Sequence, residues 1–499
     1  MELPRSYNAA VDLIGRNLDA GRGGKIAYID DGGSCTYAQL AERVDRAANA
    51  LRSLGIEREE RIALAMLDSA DWVALFLGAI KAGIVPVALN TLLTPADYEY
   101  QLLDSGSKAL FVSDALLKNF SSIRVKHVVP HSQLEALLEK QKSTAEPAPT
   151  TSDDMCFWLY SSGSTGKPKG TVHLHSHLIL TAELYAKPVL GIRESDVVFS
   201  AAKLFFAYGL GNAMTFPLAV GATTVLMAER PTPDSVFKRL VERKPTIFYG
   251  VPTLYAALLA NQNFPKREDL KLRVCTSAGE ALPAEIGRRW TERTGAEVLD
   301  GIGSTEMLHI FLSNRPGDVK PGTTGKPVPG YTLRLVDDNG NLVTRPGELG
   351  ELQISGPTSA IMYWNQREKT KNTFQGPWTR SGDKYSVDEQ GYYAYGGRSD
   401  DMLKVSGIYV SPVEVEAALV SHEAVLEAAV VGAADEAKLI KPKAFVVLKP
   451  GQSPSDSLKG ALQQHVKDKL APYKYPRWIE FLPELPKTAT GKIQRFKLR

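Results

Sequence analysis

The chain has 499 residues, 43% of them hydrophobic, which is enough for two or more globular domains. Its 59 basic and 56 acidic residues leave a net charge of +3, so charge gives no reason to expect a nucleic acid or a membrane surface as partner. Three widely spaced cysteines, no signal-peptide-like N-terminus and no bilayer-length apolar run argue against a disulfide framework and favour a cytoplasmic protein.

Strands and helices alternate through the first 130 residues. Thr36 and Gln39 have the spacing of a capping box, and Thr94-Pro95 is typical of a helix start. The predicted strands are Lys25–Asp30, Arg61–Met66, Val85–Leu89 and Ala109–Ser113. This alternation predicts a parallel sheet that is buried on both faces.

The stretch Tyr160–Gly170 reads Y-S-S-G-S-T-G-K-P-K-G. Its glycines accept positive φ easily, so hydroxyls and backbone N–H groups can turn toward an anion, and Lys167 and Lys169 add positive charge. Ser161 and Pro168 exclude the common P-loop pattern. Predicted strands on both sides favour a polyphosphate-binding loop over a flexible linker.

Three alternating histidines follow the loop, at His173, His175 and His177. Alternating histidines can bind a metal from one face of a strand. No acidic or cysteine ligand lies nearby in the sequence, however. We therefore expect this stretch to lead from a strand into the next helix.

Later predicted strands end in glycine-bearing turns, where open α/β sheets bind ligands. These strands are Asp196–Ala201, Ile247–Val251, Leu272–Ser277 and Glu297–Leu299. Thr305-Glu306 follows the last of them, and a carboxylate near a phosphate loop is a candidate Mg²⁺ ligand. The aromatic residues and glycines of 203–211 are typical either of a core or of a flat apolar pocket.

From about residue 320 to Gly397 the sequence predicts an antiparallel β segment with a hairpin turn at Asp338–Asn341. A smaller α+β unit of roughly 100 residues follows. In it, Ser411-Pro412-x-Glu414 predicts a capping box that opens a helix. Pro486–Lys492 is predicted to be a polar loop that ends in a lysine.

The order of these motifs resembles that of the adenylate-forming superfamily, which includes acyl- and aryl-CoA synthetases, peptide-synthetase adenylation domains and luciferases. The motifs are the phosphate loop, Thr305-Glu306, Gly382-Asp383, Gly397–Gly407 (G-R-S-D-D-M-L-K-V-S-G) and Pro486–Lys492. The resemblance covers nearly the whole chain. It implies an α/β fold with a large N-terminal domain of αβ-sandwich subdomains plus a β segment (1–398), a hinge (399–401) and a small mobile α+β C-terminal domain (402–499).

The resemblance also implies roles for individual residues. The implied catalytic residues are Lys492, Glu306 and Thr165, with Thr165 and Glu306 also near Mg²⁺. The residues implied to bind ATP or AMP are Ser161, Ser162, Gly163, Ser164, Thr165, Gly166, Lys167, Lys169, Gly279, Glu280, Asp300, Gly301, Ile302, Thr305, Asp383 and Arg398. Asp400 would be the hinge, and Ser406 and Gly407 would line the tunnel for the thiol. The implied co-substrates and cofactor are ATP, coenzyme A and Mg²⁺.

For the acid, residues 202–211 and 303–311 resemble benzoate-CoA ligases most closely. The implied pocket residues are Phe206, Ala207, Tyr208, Gly303, His309 and Ile310. Aromatic faces and a glycine suit a planar ring better than an alkyl chain. The alternatives are a 4-hydroxybenzoate- or other substituted-benzoate-CoA ligase, an aryl-adenylating enzyme that loads a carrier protein, and a non-catalytic nucleotide-binding homologue.

The implied partners are small molecules, namely an aromatic acid, ATP and coenzyme A. The oligomeric state stays open, with a homodimer as one option. Loss of charge at Lys492 would remove its implied role, so we hypothesise that a lysine acetyltransferase inactivates the protein there.

Overall fold

A computed structural model of the protein describes residues 2–121, 124–161, 167–399, 401–405, 408–435, 439–487 and 493–499. The predictions made for Ser162, Gly163, Ser164, Thr165, Gly166, Asp400, Ser406, Gly407 and Lys492 lie outside the described residues. No helix within the described ranges is both long enough and apolar enough to cross a membrane.

The chain up to the phosphate loop has the predicted alternation of strands and helices. Its elements are α1 (Ala9–Asp19), β1 (Ile26–Asp30), β2 (Gly33–Thr36), α2 (Tyr37–Ser53), β3 (Arg61–Ala65), α3 (Ala70–Lys81), β4 (Val85–Ala88), α4 (Pro95–Ser105), β5 (Ala109–Val112), β6 (His127–Pro130), α5 (His131–Glu139) and β7 (Met155–Ser161). Thr36 and Thr94 form the capping boxes that start α2 and α4.

The next part continues the same alternation. Its elements are β8 (Lys169–Leu174), α6 (His175–Thr181), β9 (Val197–Ser200), α7 (Ala207–Leu210), α8 (Phe216–Val220), β10 (Thr223–Val225), α9 (Pro233–Arg243), β11 (Ile247–Gly250), α10 (Pro252–Ala260), β12 (Val274–Ser277), α11 (Ala284–Thr294), β13 (Glu297–Gly303) and β14 (Ile310–Ser313). π-helical turns at Ala182–Leu190 and Gly211–Thr215 extend α6 and α7.

The predicted β segment and the smaller unit complete the chain. The β segment contains β15 (Lys326–Pro327), β16 (Thr332–Val336), β17 (Gly350–Ser355), β18 (Met362–Tyr363), α12 (Arg367–Thr373), β19 (Phe374–Gln375), β20 (Trp378–Val387) and β21 (Tyr393–Arg398). The smaller unit contains β22 (Leu403–Val405), β23 (Ile408–Val410), α13 (Pro412–Val420), β24 (Val425–Ala434), β25 (Ile440–Leu448), α14 (Asp456–Lys469) and β26 (Trp478–Phe481).

The large domain contains the predicted antiparallel sheet, formed by β16, β17, β19, β20 and β21, and two largely parallel sheets. Within the described residues, one has the strand order β15-β14-β13-β12-β11-β9-β10-β1-β2 and the other β18-β8-β7-β4-β3-β5-β6. Helices α2 and α3 pack closely on each other because residue 78 of α3 is a glycine. A Cβ at Gly78 would lie only 2.6 Å from the Cβ of Ala47 on α2. The predicted fold class, α/β with a large first domain and a small second one, is confirmed.

The start of α13 differs from the prediction in one detail. The Ser411 side chain accepts a hydrogen bond from the Glu414 backbone N–H, as predicted. The Glu414 carboxylate, however, accepts two hydrogen bonds from Lys474, at 2.6 and 2.7 Å. The reciprocal half of the capping box is therefore replaced by an ion pair, because a cation competes well with a backbone N–H for a carboxylate.

Candidate active site

The phosphate loop joins two antiparallel strands. β7 and β8 pair so that Ser161 lies opposite Lys169 at the two ends of the loop. The other edge of β8 pairs with β18, which sets Tyr363 opposite Thr171. The sheet thus brings a tyrosine from much later in the chain to the side of the loop.

Glu306 lies beside both ends of the loop. Its Oε1 accepts a hydrogen bond from the Tyr363 hydroxyl at 2.6 Å and a longer one from the Ser161 hydroxyl at 3.4 Å. Lys169 Nζ lies 3.9 Å from the same oxygen. Burial lowers the pKa of Lys169, and the charge of Glu306 opposes this effect. The strand-end glutamate and the phosphate loop are therefore parts of one polar site.

The turn that carries Glu306 is strained and is held from outside. Leu308 has a φ of +65°, a left-handed conformation that is uncommon for leucine. Three successive carbonyl oxygens of the turn accept hydrogen bonds from other elements. The pairs are Thr305 O with His173 Nε2 (2.7 Å), Glu306 O with Ala360 N (2.7 Å) and Met307 O with Thr358 Oγ1 (2.8 Å).

The histidine stretch runs from β8 into α6, as predicted. His173 and His177 are buried, and their Nδ1 atoms lie 3.0 Å apart. Burial lowers the pKa of His173 to about 4 and that of His177 well below its ordinary value, so both rings are neutral. His175 bonds elsewhere: its Nδ1 accepts from the Ala9 backbone N–H at 3.1 Å. In the part of the chain that the structure describes, no group of three or more metal-ligating side chains could hold a metal ion.

Asp383 and Arg398 lie opposite each other on β20 and β21. Arg398 Nη1 donates to Asp383 Oδ1 at 3.3 Å, and the Tyr395 hydroxyl donates to the same oxygen at 3.4 Å. Asp383 is buried, whereas 41% of the Arg398 side chain is exposed. The acid–base pair predicted as a ribose site is therefore formed, and its guanidinium has solvent access.

Of the residues predicted to line adenine, Gly279 and Glu280 follow the end of β12, whereas Asp300, Gly301 and Ile302 lie within β13, which extends beyond the predicted strand end at Leu299. Gly279 has a φ of +97°, which glycine adopts readily. Asp300 is buried, and burial raises its pKa well above the ordinary range. Its Oδ1 has no hydrogen-bond partner among the described residues. Gly301 and Ile302 are the next two residues of the same strand, β13. A buried carboxyl oxygen of this kind suits a ligand that brings a donor.

The C-terminal tail contacts the large domain at Glu280. The backbone N–H of Ile493, the residue after Lys492, donates to Glu280 Oε1 at 2.9 Å. Arg495 donates two hydrogen bonds to Glu416 of α13, at 3.0 and 2.6 Å. The tail is thus tied to the large domain at Ile493 and to the small domain at Arg495.

The residues predicted to form the acid pocket gather around His309. His309 Nε2 lies 3.2 Å from both the Tyr208 carbonyl oxygen and the Asn212 Oδ1, so it carries the proton and donates. Burial lowers the pKa of His309 to about 3, which keeps the ring uncharged. The rings of His309 and Tyr208 lie 5.7 Å apart, and the Tyr208 hydroxyl bonds Thr276 Oγ1 at 2.5 Å.

Glycine at position 303 lets β13 pack tightly against the backbone at His309. A Cβ at Gly303 would lie 2.5 Å from the His309 carbonyl oxygen, so no side chain fits. Gly303 pairs with Ile310 across β13 and β14. Phe206 and Ala207 stand at the start of α7 and are partly buried. The rings of Tyr185, Tyr208 and Phe216 surround the buried His309 ring, so the predicted pocket residues belong to an uncharged aromatic cluster.

Sequence reasoning missed several residues of this site. Tyr363 bonds Glu306, while Asn212 and Thr276 bond pocket side chains. The sequence carried no signal for them, because each is brought in by sheet pairing or helix packing from a distant segment.

The two ends of the loop, Ser161 and Lys169, lie beside Glu306, an acid–base pair lies nearby, and the tail of the small domain returns to the large one. This arrangement is that of an adenylate-forming enzyme. The chain belongs to the AMP-binding enzyme family, whose model matches residues 16–364. The C-terminal domain model of AMP-binding enzymes matches residues 414–492.

Relatives of known activity match over the full length. The chain is 65% identical to a benzoate–CoA ligase from Thauera aromatica, covering 100% of this chain and 97% of the relative. It is 51% identical to a 4-hydroxybenzoate–CoA/benzoate–CoA ligase from Rhodopseudomonas palustris, covering 99% and 94%. A benzoate CoA ligase structure from Burkholderia xenovorans LB400 matches with 58% identity and a TM-score of 0.94, covering 99% and 100%.

Proposed function

We propose that the protein joins benzoate to coenzyme A at the expense of ATP, through a benzoyl-AMP intermediate. The observation that carries this proposal is the uncharged aromatic cluster around His309 and Tyr208, which adjoins the turn between β13 and β14 that bears Glu306. Of the two curated relatives described above, the more similar is named for benzoate alone, which favours benzoate over its 4-hydroxy derivative.

In the first step, a carboxylate oxygen of benzoate forms a bond to the α-phosphorus of ATP. The bond from that phosphorus to the bridging oxygen breaks, and pyrophosphate leaves with the electron pair. No general base is needed because the attacking group is already an anion, so the protein contributes alignment and neutralisation of charge. Lys492 is proposed to bridge the benzoate carboxylate and the α-phosphate.

In the second step, the thiolate sulfur of coenzyme A bonds to the carbonyl carbon of benzoyl-AMP. The bond from that carbon to the phosphate oxygen breaks, and AMP leaves. The proposed domains, 1–398 and 402–499, would rotate about a hinge at 399–401 between the steps, so that Ser406 and Gly407 replace the lysine loop. AMP would stay in the site formed by Asp383, Arg398 and the adenine-lining residues.

Mg²⁺ is proposed to bind at Glu306 and Thr165. A single carboxylate beside a polyphosphate loop fits the preference of Mg²⁺ for one or two carboxylates plus phosphate oxygens. When bound, the ion supplies neutralisation of phosphate charge. The Tyr363 hydroxyl orients Glu306 by holding its Oε1. A homodimer and the acetylation of Lys492 stay predictions.

The proposal is tested by following AMP and pyrophosphate release with Mg-ATP and a panel of acids, with and without coenzyme A. The panel contains benzoate, 4-hydroxybenzoate, 2-aminobenzoate, octanoate and phenylalanine. We expect turnover that depends on coenzyme A and is fastest with benzoate. Pyrophosphate release that coenzyme A does not stimulate would contradict the proposal and indicate a carrier-protein acceptor.

A second prediction concerns Glu280. Glu280→Ala removes the acceptor for the Ile493 backbone N–H and should slow benzoate-dependent ATP–pyrophosphate exchange about fivefold to tenfold. Conversion of supplied benzoyl-AMP to benzoyl-CoA should slow less, because Glu280 is proposed to line adenine in both steps but to hold the tail only in the first. Glu292→Ala, at an exposed glutamate that pairs with Arg288, is the matched control. Equal slowing of both steps by Glu280→Ala would instead indicate a role in adenine binding.

A further inference from the structure

Two of the three alternating histidines form a hydrogen-bonded chain that ends at the catalytic turn. His173 lies on β8, the strand that leaves the phosphate loop, and its Nε2 is 2.7 Å from the Thr305 carbonyl oxygen. His177 Nδ1 is 3.0 Å from His173 Nδ1. Phe157 stacks on the His173 ring at a centroid distance of 5.2 Å and fixes its plane.

The chemistry of the atoms determines which one donates in each of these two hydrogen bonds. A carbonyl oxygen only accepts, so His173 Nε2 carries the proton and donates to Thr305. The Nδ1 of a neutral His173 is then an acceptor, and His177 Nδ1 must donate to it. The Leu174 backbone nitrogen also lies near His177 Nδ1, but at 3.4 Å it is the weaker contact.

The hydrogen bond from His173 is important because Thr305, its acceptor, directly precedes Glu306. The left-handed backbone of Leu308 makes this turn intrinsically unfavourable, so its geometry depends on contacts from outside. Among those contacts, the one from His173 links the turn to the strand that carries the phosphate loop.

We propose that His173 is a positioning residue for adenylation: it holds the Thr305 carbonyl, and through it the Glu306 carboxylate, in register with the phosphate loop. His177 supports this tautomer by donating a hydrogen bond to His173 Nδ1. This proposal rests on the proposed function, in which Glu306 serves the polyphosphate end of ATP. Benzoyl-AMP has no β- or γ-phosphate, so the second step does not need this register.

The test compares His173→Phe, His173→Gln and His177→Phe in both half-reactions, with Mg-ATP and benzoate or with synthetic benzoyl-AMP and coenzyme A. For His173→Phe, we expect kcat/KM for ATP in adenylation to fall about tenfold to a hundredfold, because the half-buried Thr305 carbonyl loses its 2.7 Å donor and keeps only the Leu308 N–H at 3.3 Å. The rate from benzoyl-AMP should stay within about twofold to threefold, because only the first step uses this contact. His173→Gln, which can still donate, should recover most of the loss, and His177→Phe should lie between the two.

His175→Gln is the matched control, because His175 belongs to the same motif and is equally buried but bonds Ala9 rather than Thr305. It should not separate the two half-reactions. Equal loss of both half-reactions in His173→Phe, or no recovery in His173→Gln, would overturn the proposal and leave His173 a packing residue. If the wild-type protein makes no benzoyl-CoA, the proposed function fails instead, and these outcomes are separable.

Discussion

Replacing Lys492 by alanine is expected to reduce adenylation of benzoate by about a hundredfold to a thousandfold, because the positive charge proposed to bridge the carboxylate and the α-phosphate is lost. Benzoyl-CoA formation from supplied benzoyl-AMP should continue at close to the wild-type rate. The Ile493–Glu280 hydrogen bond supports this division, since it ties the tail that bears the lysine to the predicted adenine side of the site. ATP–pyrophosphate exchange and a benzoyl-AMP assay measure the two steps separately.

Lys487 provides the control for this experiment. It lies on the same tail but pairs with Glu427 of the small domain, so Lys487→Ala should leave the ratio of the two half-reactions unchanged. Parallel loss of both half-reactions in Lys492→Ala would show that the lysine serves a shared requirement, such as AMP binding. The two-conformation mechanism would then lose its main support.

Among the substitutions proposed here, Asp196→Asn is expected to cause the largest loss of stability. It is buried just before β9 and accepts two hydrogen bonds from Arg273, at 2.8 and 2.7 Å, and one from Thr246 at 2.7 Å. Asp196→Asn keeps the shape but leaves the guanidinium without its counter-charge. We expect a loss of about 3 kcal/mol in the free energy of unfolding, measured by chemical denaturation of the whole chain.

The loss of stability caused by Asp196→Asn should become smaller as the pH falls. Burial alone would raise the pKa of Asp196, but hydrogen bonds from Arg273 and Thr246 hold it below its ordinary value. The stability that this carboxylate contributes is therefore present above the unfolded pKa, near 4, and is lost as pH falls through the folded value. The difference between wild type and Asp196→Asn should shrink below about pH 4.

Asp153→Asn is a suitable reference, because Asp153 pairs with Arg5 at a well-exposed position and should contribute less than about 1 kcal/mol. Similar losses in the two variants, or a loss in Asp196→Asn that does not vary with pH, would contradict the buried ion-pair explanation.

The fold was largely predictable because its signals are local. The strand at 61–65 and the helix caps at Thr36 and Thr94 follow from apolar runs and from the chemistry of the capping residues. The predictions for Glu306, Asp383 and Arg398 came from motif order and resemblance. The structure places these residues in polar clusters, and their roles stay proposals.

The side-chain contacts around the site could not be predicted from the sequence, because they join segments that are distant in the chain. Nothing near Tyr363 in the sequence indicates that β18 pairs with β8 and sets the tyrosine beside Glu306. Similarly, the sequence could not show that the Glu414 carboxylate bonds Lys474 and not the backbone N–H at the start of its own helix. That contact depends on where the 3-10 turn at Pro472–Lys474 packs. The tautomers of His173 and His177 follow only from the position of the Thr305 carbonyl.

The pairing of β18 with β8 also bears on how the molecule folds. The phosphate loop can form its hairpin locally, but the Glu306 site needs Tyr363, which lies 57 residues beyond Glu306 in the chain. Closing such long loops costs chain entropy before any contact compensates for it, and contacts of high sequence separation form slowly. Assembly of the nucleotide end of the site is therefore a late event in folding, and a nascent chain acquires it only after the β segment has been synthesised.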